Sequence, residues 1–198
     1  MKRRSLLAAT LAAPLVQAQP RTPDAREAAR SVHFPFGPVV PVRALDAWPV
    51  RTHAGAAAEL PALLRGKVTA LQLMFTGCSA TCPIQGALFA EAQRRLPAKA
   101  SGLQFVSLSI DALGDTPPAL ADWLRRMGAA PGWLAAVPRP GDVDAIVLRL
   151  GQGGEAKASA QDPHPGQVYV FDREARLVYR TPGMPRPTQI VEALAAFS

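Results

Sequence analysis

Cys78 and Cys82, the two cysteines of the chain, are separated by three residues in the segment "FTGCSATCPIQG" at positions 75–86. Two sulfurs at this spacing could form a structural disulfide, work as a redox couple, or bind a soft metal ion as thiolates. The structural disulfide is the weakest of these interpretations, because closing so short a loop removes little entropy from the unfolded chain. On the cysteines alone, a redox pair and a metal site both stay open.

The spacing of the cysteines and the position of one histidine favour a metal site. Redox pairs usually enclose two residues; three still allow a disulfide, but they also let two thiolates face one ion. Cu(I) prefers such soft ligands, and an imidazole is the expected third one. A loop histidine is by itself more often a surface residue. His33 lies in a proline-rich segment and His53 precedes the predicted core, but His164, in "DPHPGQVYVF", precedes a core strand on a loop that could return to the cysteines.

Strands and helices alternate around these residues. Continuous apolar runs predict strands, and apolar residues at helical spacing between capping signals predict helices. The predicted strands are 67–75, 103–110, 167–172 and 176–180, and the predicted helices are 82–96, 116–127, 141–151 and 187–197. This order is that of an α/β protein with a thioredoxin-like fold, a central mixed sheet flanked by helices. It places the cysteines on the turn between the first core strand and its helix, where the helix N-terminus stabilises thiolates.

Apolar spacing and capping residues give further detail in the first two helices. Ile84, Leu88 and Ala92 are expected to share the buried face of the first helix. Thr116 is expected to cap the second helix, and Gly128 to end it.

The N-terminal residues have the pattern of a secretory signal peptide. A basic start precedes an apolar run from Leu6 to Val16 and a small residue at position 18, and the paired arginines also allow a twin-arginine signal. We therefore predict a signal peptide at residues 1–18, a flexible lead-in rich in Pro, Arg and Ala at 19–41, and one folded domain at 42–198. An exported protein of this kind would touch a membrane at most through an uncleaved N-terminal segment.

The charge of the chain gives little support to nucleic-acid binding. The formal net charge is +7 over 198 residues, and removal of residues 1–18, which carry three positive and no negative charges, would lower it to +4. The remaining Arg and Lys residues are interspersed with acidic ones and form no basic block.

Three segments resemble the SCO/SenC family of copper-binding, thioredoxin-like proteins. "FTGCSATCP" is similar to the family signature F-T-x-C-x-x-x-C-P, and "FVSLSIDALGDTPPAL" is similar to its second strand and the S-I-D-P-x-x-D-T-P stretch. "HPGQVYVFD" is similar to its H-x-x-x-x-Y-L-x-D segment. The resemblance covers roughly residues 60–197, with all elements in family order.

The resemblance implies that Cys78, Cys82 and His164 bind copper, as Cu(I) or Cu(II), and that the two cysteines can also pass between dithiol and disulfide. It implies a metallochaperone of the periplasm that delivers copper to the binuclear centre of a cytochrome oxidase subunit. A second periplasmic copper carrier or a thiol reductase is a further expected partner. Asp144 falls where the family carries an acidic residue linked to the site, although a solvated carboxylate at a helix start is an equal alternative. Asp111 and Asp115 are expected to shape the loop after the second strand and to cap the next helix.

Other functions remain open for the same residues. A thiol–disulfide oxidoreductase that reduces the cysteines of a copper-site client would need Cys78 and Cys82 but not His164. A peroxide-reducing enzyme and a protein-binding module without chemistry are more distant alternatives.

The chain departs from the family pattern at four positions. Ala112 stands in place of a proline, Pro163 and Pro165 flank the histidine where the family often has an acidic residue before it, and Ala175 stands in place of a hairpin glycine. The histidine loop is therefore expected to be stiffer and less acidic than the pattern, and Asp162 is the nearest carboxylate that could orient the imidazole.

Overall fold

The structure, a computed structural model, describes residues 36–97, 102–151 and 166–198. The strands are β1 (Gly37–Ala44), β2 (Pro49–Thr52), β3 (Ala57–Glu59), β4 (Val68–Met74), β5 (Leu103–Ser109), β6 (Trp133–Pro138), β7 (Val168–Phe171) and β8 (Arg176–Arg180). The helices are α1 (Leu60–Leu64), α2 (Thr81–Arg95), α3 (Pro117–Met127), α4 (Val143–Gly151) and α5 (Pro187–Ala195), and a 3-10 turn, Pro140–Asp142, precedes α4. The predicted signal peptide and His164 lie outside the described residues.

The strand β4, whose sequence VTALQLM is largely apolar, lies in the middle of an eight-stranded sheet and is buried along its whole length. The strand order is β1-β8-β7-β4-β5-β6-β2-β3. β4 pairs in parallel with β5 and β5 in parallel with β6, whereas β7 is antiparallel to β4. The carboxyl ends of β4, β5 and β6 therefore meet at one edge of the sheet, and β7 begins at that edge. The cysteine pair follows β4 at this edge.

Helices cover both faces of the sheet. Ala70 and Met74 of β4 pack in one apolar cluster with α2, α3 and α5, and Leu71 and Leu73 pack in a second cluster with α1 and α4. This alternation is the period of a strand that is buried on both faces. The predicted fold class, an α/β protein with a central mixed sheet flanked by helices, is confirmed. No helix in the described ranges is long and apolar enough to cross a membrane.

The predicted ends of α3 are confirmed. The Thr116 side chain accepts a hydrogen bond from the Ala119 amide at 3.4 Å and caps the first turn. Gly128 follows the last turn in the left-handed conformation, with φ of 70°, and its amide donates back to the carbonyls of Leu124 and Arg125.

The predicted buried face of α2 is confirmed at Ala92, which is fully buried, but is wrong at Ile84. Ile84 is 56% exposed, and the helix instead turns Cys82, Gly86 and Phe89 to the core. Polar Gln85 is also buried, because its side-chain amide donates to the Gln167 carbonyl at 3.2 Å. Apolar spacing therefore misplaced the face, since a glycine and a hydrogen-bonded glutamine occupy it.

Gly86 lies where α2 approaches α3 closely, so a larger residue should be destabilising. A Cβ at this position would lie 3.1 Å from Cζ2 of Trp123 and closer still to Met127. We expect Gly86→Val to lower the free energy of unfolding by about 1–3 kcal/mol, the usual cost of overpacking a core. Urea denaturation measures the difference. Ala87→Val is the matched control, because Ala87 is the next residue of the helix and is exposed; an equal loss in both variants would contradict this interpretation.

Five elements were not predicted, namely β1, β2, β3, α1 and β6. The strand β1 begins at Gly37, inside the predicted lead-in, and pairs with β8. Pro38 and Pro41 argued against a strand, but prolines are tolerated on an edge strand, and β1 is an edge of the sheet. The sequence of β6, WLAAVP, ends in a proline and lacks a long β-branched run, although its burial between β5 and β2 makes it a strand.

The two predicted strands at 167–172 and 176–180 are confirmed as β7 and β8, and the turn of the hairpin that they form contains one of the departures from the family pattern. Ala175 has a φ of 62°, the left-handed conformation in which glycine is usual. The Asp172 carboxylate stabilises the turn, because it accepts hydrogen bonds from the amides of Glu174 at 3.1 Å and Arg176 at 2.9 Å. The alanine is thus held in the backbone conformation that a glycine would adopt.

Candidate functional site

The cysteines lie where the fold predicted them, on the turn between β4 and α2. The Cys78 amide donates to the Phe75 carbonyl at 3.2 Å, which closes a turn after the strand. The helix begins at Thr81, so Cys82 lies in its first turn, and the N-cap residue Ala80 contributes no side-chain hydrogen bond. The free amides at the start of α2 are therefore available to the Cys78 sulfur.

The two sulfurs lie close together but in different environments. The Cys82 amide donates to Cys78 Sγ at 3.4 Å. Cys82 is 2% exposed and packs in the apolar cluster beneath α2, whereas Cys78 is only half-buried. Both are free thiols. One sulfur is thus accessible from solvent and the other is held behind it.

The pKa values of the two thiols move in opposite directions. Burial raises the pKa of Cys78, but hydrogen bonds from the Cys82 side chain and amide, and then from Ala80 and Thr81, outweigh it and bring the value to about 7. Burial raises the pKa of Cys82, and the hydrogen bond to Cys78 raises it further, to about 11. Between about pH 7 and pH 11 the Cys78 thiol therefore becomes a thiolate while the Cys82 thiol keeps its proton.

This difference predicts a pH profile for alkylation of the reduced chain. The thiolate is the reactive form, so the rate at Cys78 should rise with pH and reach half its maximum near pH 7. Cys82 should react slowly until the pH approaches about 11. Mass spectrometry of peptides after short exposure to iodoacetamide measures both rates. The urea-unfolded chain is the control, because both thiols should then titrate near about 8.5. A folded Cys78 that also titrates near that value would contradict the prediction.

The carboxylates that follow β5 shape their own loop, as predicted. Asp111 accepts a hydrogen bond from the Gly114 amide at 2.9 Å. Asp115 is buried, and its carboxylate accepts hydrogen bonds from the hydroxyls of Thr76 and Ser109. It is not the cap of α3, because Thr116 occupies the N-cap position. The contact of Asp115 with Thr76, two residues before Cys78, was not predicted, because a bond between two loops leaves no periodic signal in the sequence.

The described residues next to His164 are anchored beside α2. Gln167, three residues after the histidine, accepts a hydrogen bond through its carbonyl from Gln85, and Gln85 is three residues after Cys82. Gly166 has a φ of 59°, and a Cβ on it would lie 3.1 Å from the sulfur of Met184. The chain at Gln167, three residues after His164, is therefore held against α2, the helix whose first turn contains Cys82.

The other candidate residues are not brought to the cysteines by the described contacts. Asp144 is exposed in the first turn of α4, which packs on the opposite face of the sheet from α2. The His53 ring bonds the Ala135 backbone at 3.3 Å and so connects the end of β2 to β6. Within residues 36–97, 102–151 and 166–198, no group of three His, Cys, Asp or Glu residues forms a metal site.

The donor set suits a soft ion. Two thiols at the start of a helix, one of which has a pKa lowered to about 7, supply the thiolates that Cu(I) prefers. Binding of an ion by both sulfurs would displace the proton of Cys82, so metal uptake is coupled to proton release.

Comparison with known proteins gives one family and a consistent set of structures. The family model described as SCO1/SenC matches residues 52–198. The chain is similar to a SCO1/SenC family lipoprotein from Bacillus anthracis, with a TM-score of 0.67 and 20% identity over 80% of this chain and 98% of that one. It is also similar to Bradyrhizobium japonicum ScoI with copper bound, with a TM-score of 0.61 and 19% identity over 82% and 99% of the two chains.

A third similar structure is BsSco, described as a member of the Sco family of cytochrome c oxidase assembly proteins with a disulfide switch. Its TM-score is 0.65, with 17% identity over 79% of this chain and 94% of that one. A comparison with curated protein sequences gave no match. At these identities the structural likeness establishes the thioredoxin-like fold.

Proposed function

Because the chain belongs to the SCO1/SenC family, we propose that it is an exported copper-binding metallochaperone that delivers copper to a respiratory copper enzyme. The observation that carries this proposal is the pair of free thiols at the start of α2, where the Cys82 amide donates to the Cys78 sulfur. The copper-bound ScoI and the description of BsSco as an oxidase assembly protein support the choice of metal and of client. The client is a cytochrome oxidase subunit with a copper centre.

The proposed ligands are the thiolates of Cys78 and Cys82 and the imidazole of His164. Cys82 is held behind Cys78, so a client ligand approaches from the side of the half-buried Cys78. Delivery is a ligand exchange in which a ligand of the client replaces the Cys78 thiolate first and the Cys82 thiolate afterwards. An acidic role of Asp144 near the copper site, outside the ligand set, stays a proposal. The packing of α4 on the face of the sheet opposite α2 gives this role no support.

Copper titration of the reduced chain tests this function. We expect one copper ion per chain, measured by metal analysis after gel filtration and by the mass of the native complex. The same titration after oxidation of the cysteines is the control, because a disulfide is a poor copper ligand. A reduced chain that binds no copper would rule out the metallochaperone.

A second candidate function is a thiol–disulfide oxidoreductase, which the unequal pKa values of the two thiols favour. The Cys78 thiolate attacks a client disulfide and expels one client sulfur as a thiolate. Cys82, once deprotonated, then attacks Cys78 of the mixed disulfide and releases the second client thiolate. The chain ends as the Cys78–Cys82 disulfide, two electrons poorer, and a periplasmic thiol reductase would have to restore it.

The location of the protein is part of the same proposal. Export through the segment 1–18 brings the chain to the periplasm, where client and copper meet. A second periplasmic copper carrier is the proposed copper donor.

A further inference from the structure

Asp115 connects the cysteine turn to a different part of the fold. Its side chain is buried, with 6% of the residue exposed, and both carboxylate oxygens accept hydrogen bonds. The Thr76 amide lies 3.2 and 3.1 Å from the two oxygens, and the Thr76 hydroxyl donates to Oδ1 at 2.5 Å. The Ser109 hydroxyl donates to Oδ2 at 2.6 Å. The buried Asp115 carboxylate therefore connects Thr76, which lies two residues after the end of β4, to Ser109, the last residue of β5.

The hydrogen bonds described for the cysteine sulfurs are local by comparison. The Cys78 amide bonds Phe75, the Cys82 amide bonds Cys78, and the Cys78 sulfur lies 3.9 Å from the Thr81 hydroxyl. These hydrogen bonds lie within the turn itself, and Cys82 packs in the apolar cluster at its far end. The bonds from Asp115 to Thr76, two residues before Cys78, connect the near end of the turn to the end of β5.

We propose that Asp115 is a positioning residue for Cys78, which fixes the direction of that sulfur through Thr76 without touching the metal. Hydrogen bonds to a carboxylate are roughly twice as strong as those between neutral groups. Binding groups function only when they are held within about 0.5 Å of the required geometry. Without this anchor the turn must be ordered when copper binds, and that cost lowers the affinity. The inference rests on the proposed function for its copper readout.

The test compares Asp115→Asn with Asp111→Asn in the reduced full-length chain. Asparagine keeps the shape of Asp115 but places an amide donor against Thr76 and Ser109, which are themselves donors. Asp111 belongs to the same loop and loses the same charge, but its carboxylate accepts from the Gly114 amide. Competition with a Cu(I) chelator should give about a 10–100-fold weaker affinity for Asp115→Asn and little change for Asp111→Asn.

A second readout separates positioning from a general loss of structure. The reduction potential of the Cys78–Cys82 couple should shift in Asp115→Asn and not in Asp111→Asn, and the Cu(II)–thiolate absorption band should shift with it. Thr76→Val removes the hydroxyl that bonds Asp115, whereas Thr76→Ser keeps it. The valine variant should bind copper more weakly, and the serine variant should bind it as the unmodified chain does. This pair still tests the positioning role of Asp115 if Asp115→Asn does not fold.

The outcomes are distinct. A folded Asp115→Asn chain with unchanged copper affinity and unchanged potential overturns the positioning role, and so do valine and serine variants of Thr76 that behave alike. A wild-type chain that binds no copper overturns the proposed function instead. The shift in reduction potential then still tests Asp115, because it requires only the two cysteines.

Discussion

Replacement of Cys82 by serine is expected to weaken copper binding by the reduced chain about a hundredfold. Serine is nearly isosteric, so the buried position beneath α2 is preserved, but a neutral hydroxyl is a poor ligand for a soft ion. Structural zinc sites with four ligands bind with about 10–16 kcal/mol, or some 2.5–4 kcal/mol for each ligand. We therefore expect the affinity to fall about 60–700-fold, since each 1.4 kcal/mol is a factor of about ten.

Ser79→Ala is the matched control for this substitution, because it changes an exposed residue of the same turn and leaves both sulfurs in place. Chelator competition gives the two affinities, and far-UV circular dichroism with thermal melting checks that both variants are folded. A folded Cys82→Ser chain that still binds one copper ion with unchanged affinity would show that the Cys82 sulfur is not a ligand. The proposed ligand set would then keep Cys78 and need another ligand in place of Cys82.

The core of the fold could be predicted because its signals are local. The strand β4 is a continuous apolar run, and a run buried on both faces is typical of the middle of a parallel sheet. The start of α3 follows from Thr116, whose side-chain oxygen caps the first turn. Its end follows from Gly128, which has no Cβ and adopts the left-handed conformation. Elements whose evidence lies within one segment of sequence were therefore found.

The missing elements depend on neighbours that are distant in sequence. The strand β1 carries two prolines and is a strand only because β8 provides a partner and the sheet edge tolerates proline. β6 is short and poor in β-branched residues, and burial between two other strands determines its conformation. The buried face of α2 was misplaced for the same reason, since Gly86 matters only through the approach of α3.

The candidate site shows the same division. The placement of Cys78 and Cys82 at a strand–helix turn follows from the order of elements and was predicted. The bond between Asp115 and Thr76 joins two loops 39 residues apart, and nothing in either segment alone indicates it. A short polar residue that follows a buried strand, such as Asp115 after β5, is the signal that could have pointed to such a contact, because a buried carboxylate must find donors.

Replacement of His164 by alanine is the second large effect that we expect, and it separates the two candidate functions. An imidazole ligand contributes some 2.5–4 kcal/mol by the same reasoning, so the copper affinity should fall about 60–700-fold. Reduction of a client disulfide needs only the two thiols, so its rate should not change. The anchored residues beside the loop support this assignment, because Gln85 holds Gln167 three residues beyond the histidine.

His53→Ala is the matched control, since His53 bonds the Ala135 backbone and belongs to a different part of the sheet. It should leave the copper affinity unchanged even where it lowers the melting temperature. Copper affinity from chelator competition and the rate of client disulfide reduction are measured on the same preparations. Unchanged copper affinity in His164→Ala would remove the histidine from the ligand set. A parallel loss of reductase rate would instead show that the histidine acts on the thiols, which neither proposed function requires.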